Sequence, residues 1–253
     1  MTFKILIVVH QETSSPGRVG HMLEGMGYRL DIRRPRFGDP LPETMDDHAA
    51  AVIFGGPMSA NDGDDFIKQE IDWIGVPLRD KKPFLGICLG AQMLAKHLGG
   101  SVAPHPHGHA EIGYYRIRPT DAGRRLTWWP EQVYQWHRDG FTLPRDATLL
   151  AEAEIFPEQA FSFGRSAYGL QFHPELTLAM MNRWTVKGAH RLLLPGAKSR
   201  AEHFSGRALH DGALRRWLRN FLKFWMRCGC ESPQIETGFG GGRLELPIAA
   251  IKS

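Results

Sequence analysis

The chain has 253 residues, 42% hydrophobic and 23% charged, which is ordinary for a folded protein and excludes a disordered or fibrous class. Its length permits one large α/β domain or two small ones, and the expectation is one domain over residues 1–230 with a tail over 231–253. A net charge of +4 and a pI near 9.0 are a small excess, concentrated near the carboxyl end, and do not indicate specific nucleic-acid binding.

The first apolar run, residues 3–9, is too short to span a membrane, and the polar stretch after it has no small-residue cleavage pattern. A cytoplasmic protein is expected. Further strands are predicted at 28–33, 51–54 and 83–87, with helices over 17–26, 65–79 and 89–98. Short apolar runs that alternate with helix-period segments point to parallel strands buried on both faces by crossover helices. From 101 to 172 the pattern becomes short β-like pieces divided by Pro and Gly, at 111–118, 132–136, 148–152, 159–163 and 167–172. Hairpins and an antiparallel extension of the sheet fit them.

The chain then turns helical again at 176–186 and 208–226. Leu214, Trp217, Leu218, Phe221, Leu222 and Trp225 share one face of the last helix, with Arg215, Arg216, Arg219 and Lys223 mostly off it. Packing on the sheet with a solvated basic face is expected, in preference to a membrane or acidic partner. The glycine-rich tail reads as loosely ordered or as an arm reaching a neighbouring subunit of a homo-oligomer.

Cys88, Cys228 and Cys230 are an odd set without disulfide or zinc spacing and should be reduced thiols. Only Cys88 has a chemical context. In Pro83-Phe84-Leu85-Gly86-Ile87-Cys88-Leu89-Gly90-Ala91-Gln92 a buried strand turns sharply into a helix, with a glycine two places either side of the thiol. This is a nucleophile elbow with sulfur in place of oxygen. The helix start beneath it favours the thiolate, and the Leu89 N–H points where an oxyanion would form. In Gln171-Phe172-His173-Pro174-Glu175 an imidazole and a carboxylate lie two apart in extended geometry, on one side, so Glu175 can hold the far nitrogen of His173 while His173 acts as base. In Ala51-Val52-Ile53-Phe54-Gly55-Gly56-Pro57 a strand runs into a glycine pair, and Gly56 offers a second oxyanion donor.

With these three motifs in this order, the sequence resembles the class I, triad-type glutamine amidotransferases over residues 1–190. Through Glu111-Ile112-Gly113-Tyr114-Tyr115 and Gln135-Trp136-His137-Arg138-Asp139 it is similar to stand-alone proteins like the glutaminase part of GMP synthetase. The resemblance implies a flavodoxin-like, mostly parallel sheet flanked by helices, and glutamine hydrolysis through a Cys88 thioester without metal or organic cofactor. It implies that Gln92 helps to position glutamine and that Gln135, Trp136 and His137 belong to the loop lining its pocket. Arg138 departs from the family's usual Gly. A synthase partner would supply the ammonia acceptor, since no Gly-rich phosphate-binding loop follows Glu175. The same site suits a γ-glutamyl peptidase, and a non-catalytic regulatory subunit ranks lower because all three triad positions are filled. His105, His107 and His109 alternate, but Pro104, Pro106 and Gly108 indicate a loop, and no metal site is expected.

Overall fold

The near-continuous apolar runs of the amino-terminal half become the middle of a sheet buried on both faces. The computed structural model describes residues 4–228; Cys230 and the tail over 231–253 lie outside the described residues. In chain order the first elements are β1 (Lys4–Val8), α1 (Gly17–Gly25), β2 (Arg29–Arg33), β3 (His48–Ile53), α2 (Asp65–Trp73), α3 (Gly75–Arg79), β4 (Phe84–Ile87) and α4 (Leu89–His97). There follow β5 (Val102–Pro104), β6 (Glu111–Arg116), β7 (Arg118–Pro119), α5 (Asp121–Leu126), β8 (Gln132–His137) and β9 (Asp139–Phe141). The last are β10 (Ala147–Glu152), β11 (Glu158–Phe163), β12 (Ala167–Leu170), α6 (Leu178–Lys187) and α7 (Arg200–Cys228).

The main sheet has eight strands in the order β2-β1-β3-β4-β12-β11-β10-β7. The first five are mutually parallel and the last three are added antiparallel. The alternation along β1 shows how one short strand serves two cores: Ile5 and Ile7 enter the layer on one face, Leu6 and Val8 the layer on the other, all fully buried. α7 covers the first layer. Its Leu214, Trp217, Leu218, Phe221, Leu222 and Trp225 are fully buried while Arg215, Arg216, Arg219 and Lys223 face solvent. Trp217 stacks on Phe221 at 5.0 Å, and the Trp225 indole N–H donates to the carbonyls of Phe84 and Ser166. Burying a side chain of the size of Phe221 stabilises the fold by about 1.5–3 kcal/mol.

Several expected boundaries shift for identifiable reasons. The helix expected over 65–79 breaks at Ile74 into α2 and α3, which puts Pro77 in the first turn of a new helix, where a missing N–H leaves no bond unmade. α7 begins eight residues earlier than expected, at Arg200 rather than 208, capped by reciprocal hydrogen bonds between Ser199 and Glu202. Only part of the 101–172 region extends the main sheet. β6 pairs with β8 in a separate antiparallel ribbon, and β5 with β9 in another. No helix of the described residues is long and apolar enough to cross a membrane.

Candidate active site

The candidate residues converge beyond the carboxyl ends of β1, β3, β4 and β12, the region where open parallel sheets leave a crevice. Cys88 follows β4 directly, at the amino end of α4, with φ 52° and ψ −106°. For a residue with a side chain this backbone costs about 1–3 kcal/mol. The surrounding frame imposes it: the Cys88 N–H donates to Leu170 O at 2.7 Å, and the Gln92 N–H donates to Cys88 O at 3.0 Å. Glycine on both sides is a packing requirement, since a Cβ on Gly86 would lie 2.3 Å from Gly90 O, and one on Gly90 would lie 2.1 Å from Ile53 O. Both obstacles are backbone.

His173 and Glu175 follow β12, but in a turn beyond its end, which falls at Leu170. The strand expected over 167–172 therefore stops short, because the His173 N–H is taken by Tyr134 O of β8 at 2.8 Å instead of by the main sheet. The side chains still meet. His173 Nδ1 and Glu175 Oε1 are 2.8 Å apart, with both residues buried. Glu175 O in turn accepts from the Arg18 N–H at 2.9 Å, tying the turn to the start of α1. His173 Nε2 is buried without a hydrogen-bond partner among the described residues. Burial alone would lower the His173 pKa, but the negative charges of Glu175 and Cys88 outweigh it, and the imidazole is raised well above its ordinary range. Trp184 packs edge-on against the ring at 4.9 Å.

Gly55 and Gly56 follow β3 and close the third side. A Cβ on Gly55 would fall 2.8 Å from His173 Cε1 and 3.3 Å from Cys88 Cβ, so the turn touches both side chains. Cys88 lies between two openings. Both are lined by Gly56, Pro57, Trp136 and Arg191. The larger, about 240 Å³, is lined by His173 and Glu175, while the smaller cleft is lined by Leu89, Gln92, His137, Arg138 and Asp139.

Among the residues expected in the substrate pocket, Trp136 lines both openings, and Gln92 and His137 line the smaller one. The Gln92 amide nitrogen donates to Asp139 O at 2.8 Å, so it also holds the loop that carries Asp139. His137 bridges Glu111 Oε2 at 3.1 Å and Asp139 O at 3.0 Å. Gln135 differs from expectation. On β8 it points away from its neighbour Trp136, is fully buried, and donates to Gln159 Oε1 at 2.5 Å, lining neither opening. Its place is in a polar network with Gln159 and Glu111 beneath the loop.

Two features escaped the sequence. His10, just after β1, is fully buried, with Nε2 2.7 Å from Glu70 Oε2 of α2 and Nδ1 3.2 Å from Gly55 O. A Cβ on Gly56 would lie 3.1 Å from its ring. A polar residue ending an apolar run was the available signal, but its partner lies sixty residues away. Arg191 was missed because it sits on a 3₁₀ turn, Ala189–Leu193, that has no hydrophobic period. His105 packs against His109 at 4.9 Å and His107 at 5.6 Å in the loop after β5, and among the described residues no three His, Cys, Asp or Glu groups are arranged to hold a metal.

The chain is similar in sequence and overall fold to several known proteins. The chain is 33% identical over 185 residues to YfeJ, a glutamine amidotransferase-like protein of Salmonella typhimurium, covering 69% of this chain and 77% of that protein. It is 32% identical over 167 residues to the GMP synthase (glutamine-hydrolyzing) of Aeropyrum pernix, covering 62% of this chain but only 31% of the synthase. The chain therefore spans about a third of that relative's length. Among solved structures, a glutamine amidotransferase from Methylobacillus flagellatus superposes with a TM-score of 0.83 at 27% identity, covering 95% of this chain and all of the other. A second, from Thermotoga maritima, gives 0.75 at 30% identity, covering 92% of this chain and all of that one. Residues 17–187, well over half the chain and including the elbow and the His173–Glu175 turn, match the family described as Glutamine amidotransferase class-I, and the chain belongs to that family.

Proposed function

We propose that the protein hydrolyses the side-chain amide of glutamine through a γ-glutamyl thioester on Cys88. The observation that carries this reading is the convergence of a strained Cys88, at a helix amino end, with a buried His173–Glu175 pair across one small crevice. The raised imidazole favours a proton on His173, and the attacking form in this reading is a Cys88 thiolate beside that imidazolium. His173 is then first an acid rather than a base. The thiolate attacks the amide carbon, and the oxyanion that forms is held by the Gly56 and Leu89 N–H groups. As the C–N bond breaks, His173 gives its proton to the departing nitrogen and ammonia leaves. The now neutral His173 takes a proton from water, and the resulting hydroxide adds to the thioester carbon. Collapse expels the thiolate, glutamate departs, and the ion pair is restored. Glu175 keeps the imidazolium oriented throughout.

His173 and Glu175 line only the larger opening and Leu89 only the smaller, so the leaving nitrogen faces the larger and the α-amino acid end faces the smaller. There Gln92 and His137 support the loop and the Asp139 carboxylate suits an α-ammonium. The Arg138 side chain, two-thirds exposed, stands over this cleft. Arg138→Gly is expected to lower KM for glutamine about threefold or more by opening the cleft, with kcat little changed; a colorimetric ammonia assay across glutamine concentrations measures it.

His10 and Glu70 position the oxyanion turn by fixing the Gly55 peptide. Glu70→Gln keeps the shape but weakens that hold, and kcat should fall by up to about 100-fold with KM nearly unchanged. A purely structural role would instead lower the melting temperature and leave the kcat of the folded fraction intact.

The named synthase relatives support a further element of the reading: the released ammonia passes to an acceptor activated by a synthase partner. A reducing, cytoplasmic setting belongs to the same reading, because Cys88 attacks only as a reduced thiol. Residues 1–230 act as one domain. The direct test is to incubate the purified protein with glutamine and measure glutamate and ammonia beside Cys88→Ala; equal turnover by the two would end this reading.

A further inference from the structure

Ammonia is about the size of a water molecule, for which about 10–15 Å³ of cavity space suffices, yet the opening on the leaving-group side of Cys88 measures about 240 Å³. Its lining is as specific as its size. Trp136 and Trp184 form apolar walls, and Arg183, Lys187 and Arg191 bring three cations to the rim. Arg183 and Lys187 are one turn apart on α6, so they share a face, and the turn after it adds Arg191 four residues on. None of the three has an ion-pair partner among the described residues. Glu175, the carboxylate in this lining, is already engaged by His173. Half-buried Arg191 is held below the ordinary guanidinium range, first by burial and then by the neighbouring Arg138 cation. An anion placed there relieves both effects.

The geometry points to a second substrate class for the same site: γ-glutamyl amides whose amine portion carries a carboxylate, such as γ-glutamyl amino acids and short γ-glutamyl peptides. The inference rests on the thioester reading above, because that chemistry assigns the larger opening to the leaving group. The γ-glutamyl part occupies the smaller cleft, as glutamine does. The departing amine lies between Trp136 and Trp184, and its carboxylate meets Arg183, Lys187 and Arg191. The step balances as for glutamine: the amide C–N bond breaks, His173 protonates the departing amino group, and water later releases glutamate from Cys88.

γ-Glutamylglycine and γ-glutamylglycinamide differ only in this carboxylate. Binding of each to the full-length Cys88→Ala protein, measured by calorimetry, is expected to favour γ-glutamylglycine about 10-fold. Wild-type kcat/KM should show the same preference. The preference should shrink toward one with added salt, and in the Arg183→Gln/Lys187→Gln double variant. Equal binding of the two compounds, no binding of either, or a preference indifferent to both salt and the double substitution would overturn the inference. Failure of the thioester reading shows itself differently, as turnover that survives in Cys88→Ala. The binding comparison needs no turnover, so the two failures remain separate, and the salt series stands even if the double variant does not fold.

Discussion

Cys88→Ala is expected to reduce glutamine hydrolysis by about 10⁴–10⁶-fold while leaving the fold intact, since a nucleophile that acts as one unit with its acid and oxyanion donors carries most of the rate. The substitution is sterically mild. Alanine removes one sulfur from a position 6% exposed and keeps the Cβ that packs near Gly55. The φ of 52° is no worse for alanine than for cysteine, because the bonds from Cys88 N–H to Leu170 O and from Gln92 N–H to Cys88 O are backbone and survive. Circular dichroism and melting temperature should therefore match wild type within a few degrees. A glutaminase assay with ammonia and glutamate both quantified reads the loss. Residual activity of a tenth or more would mean that another group attacks the amide.

The second large effect is expected from Glu175→Gln. The amide retains the size of the carboxylate but removes the charge 2.8 Å from His173 Nδ1. Without it burial is opposed by Cys88 alone, and the imidazole pKa falls from its raised position. Less imidazolium is then present at neutral pH, and kcat/KM should drop by about 10²–10⁴-fold. The pH profile gives the sign. If His173 protonates the departing nitrogen as proposed, its raised pKa sets the alkaline limb of kcat/KM above the ordinary imidazole pKa; in the variant the limb moves to lower pH. The same linkage affects stability. A raised His173 contributes stability that is fully present below its unfolded pKa and is lost as pH rises through the folded one, so wild type loses this increment in alkali and Glu175→Gln should lack it. An alkaline limb unmoved by the substitution would show that Glu175 does not set the charge of His173.

Much of this site is legible in the sequence, for reasons that differ from residue to residue. The parallel strands β1, β3 and β4 announced themselves as unbroken apolar runs because both of their faces are covered. The elbow was legible because two backbone contacts, Gly86 against Gly90 and Gly90 against Ile53, leave glycine as the only residue that fits. The contact between His173 and Glu175 is made by a turn tied to Tyr134 O and Arg18 N–H, where the sequence suggested a strand end. What stayed hidden depends on distant partners or on very short elements. β5 and β9 are three residues each and carry no period. The Ser199–Glu202 capping box starts α7, and Gly206, which lowers helix propensity, masks the early start because it sits inside the helix where Tyr114 leaves no room for a side chain. Gln135 was assigned by neighbourhood to the pocket loop, yet alternation along β8 turns it from its neighbour Trp136 into the buried network with Gln159.

The central claim is that Cys88 forms a covalent bond to the γ-carbonyl carbon of the substrate. It is tested most directly by treating the protein with a glutamine analogue bearing an electrophilic ketone in place of the amide, then digesting and locating the label by mass spectrometry. The account predicts stoichiometric labelling on the peptide containing Cys88, loss of glutaminase activity in step with labelling, and protection by glutamine. Labelling confined to Cys228 or Cys230, or full glutaminase activity in protein whose Cys88 is wholly modified, would contradict it.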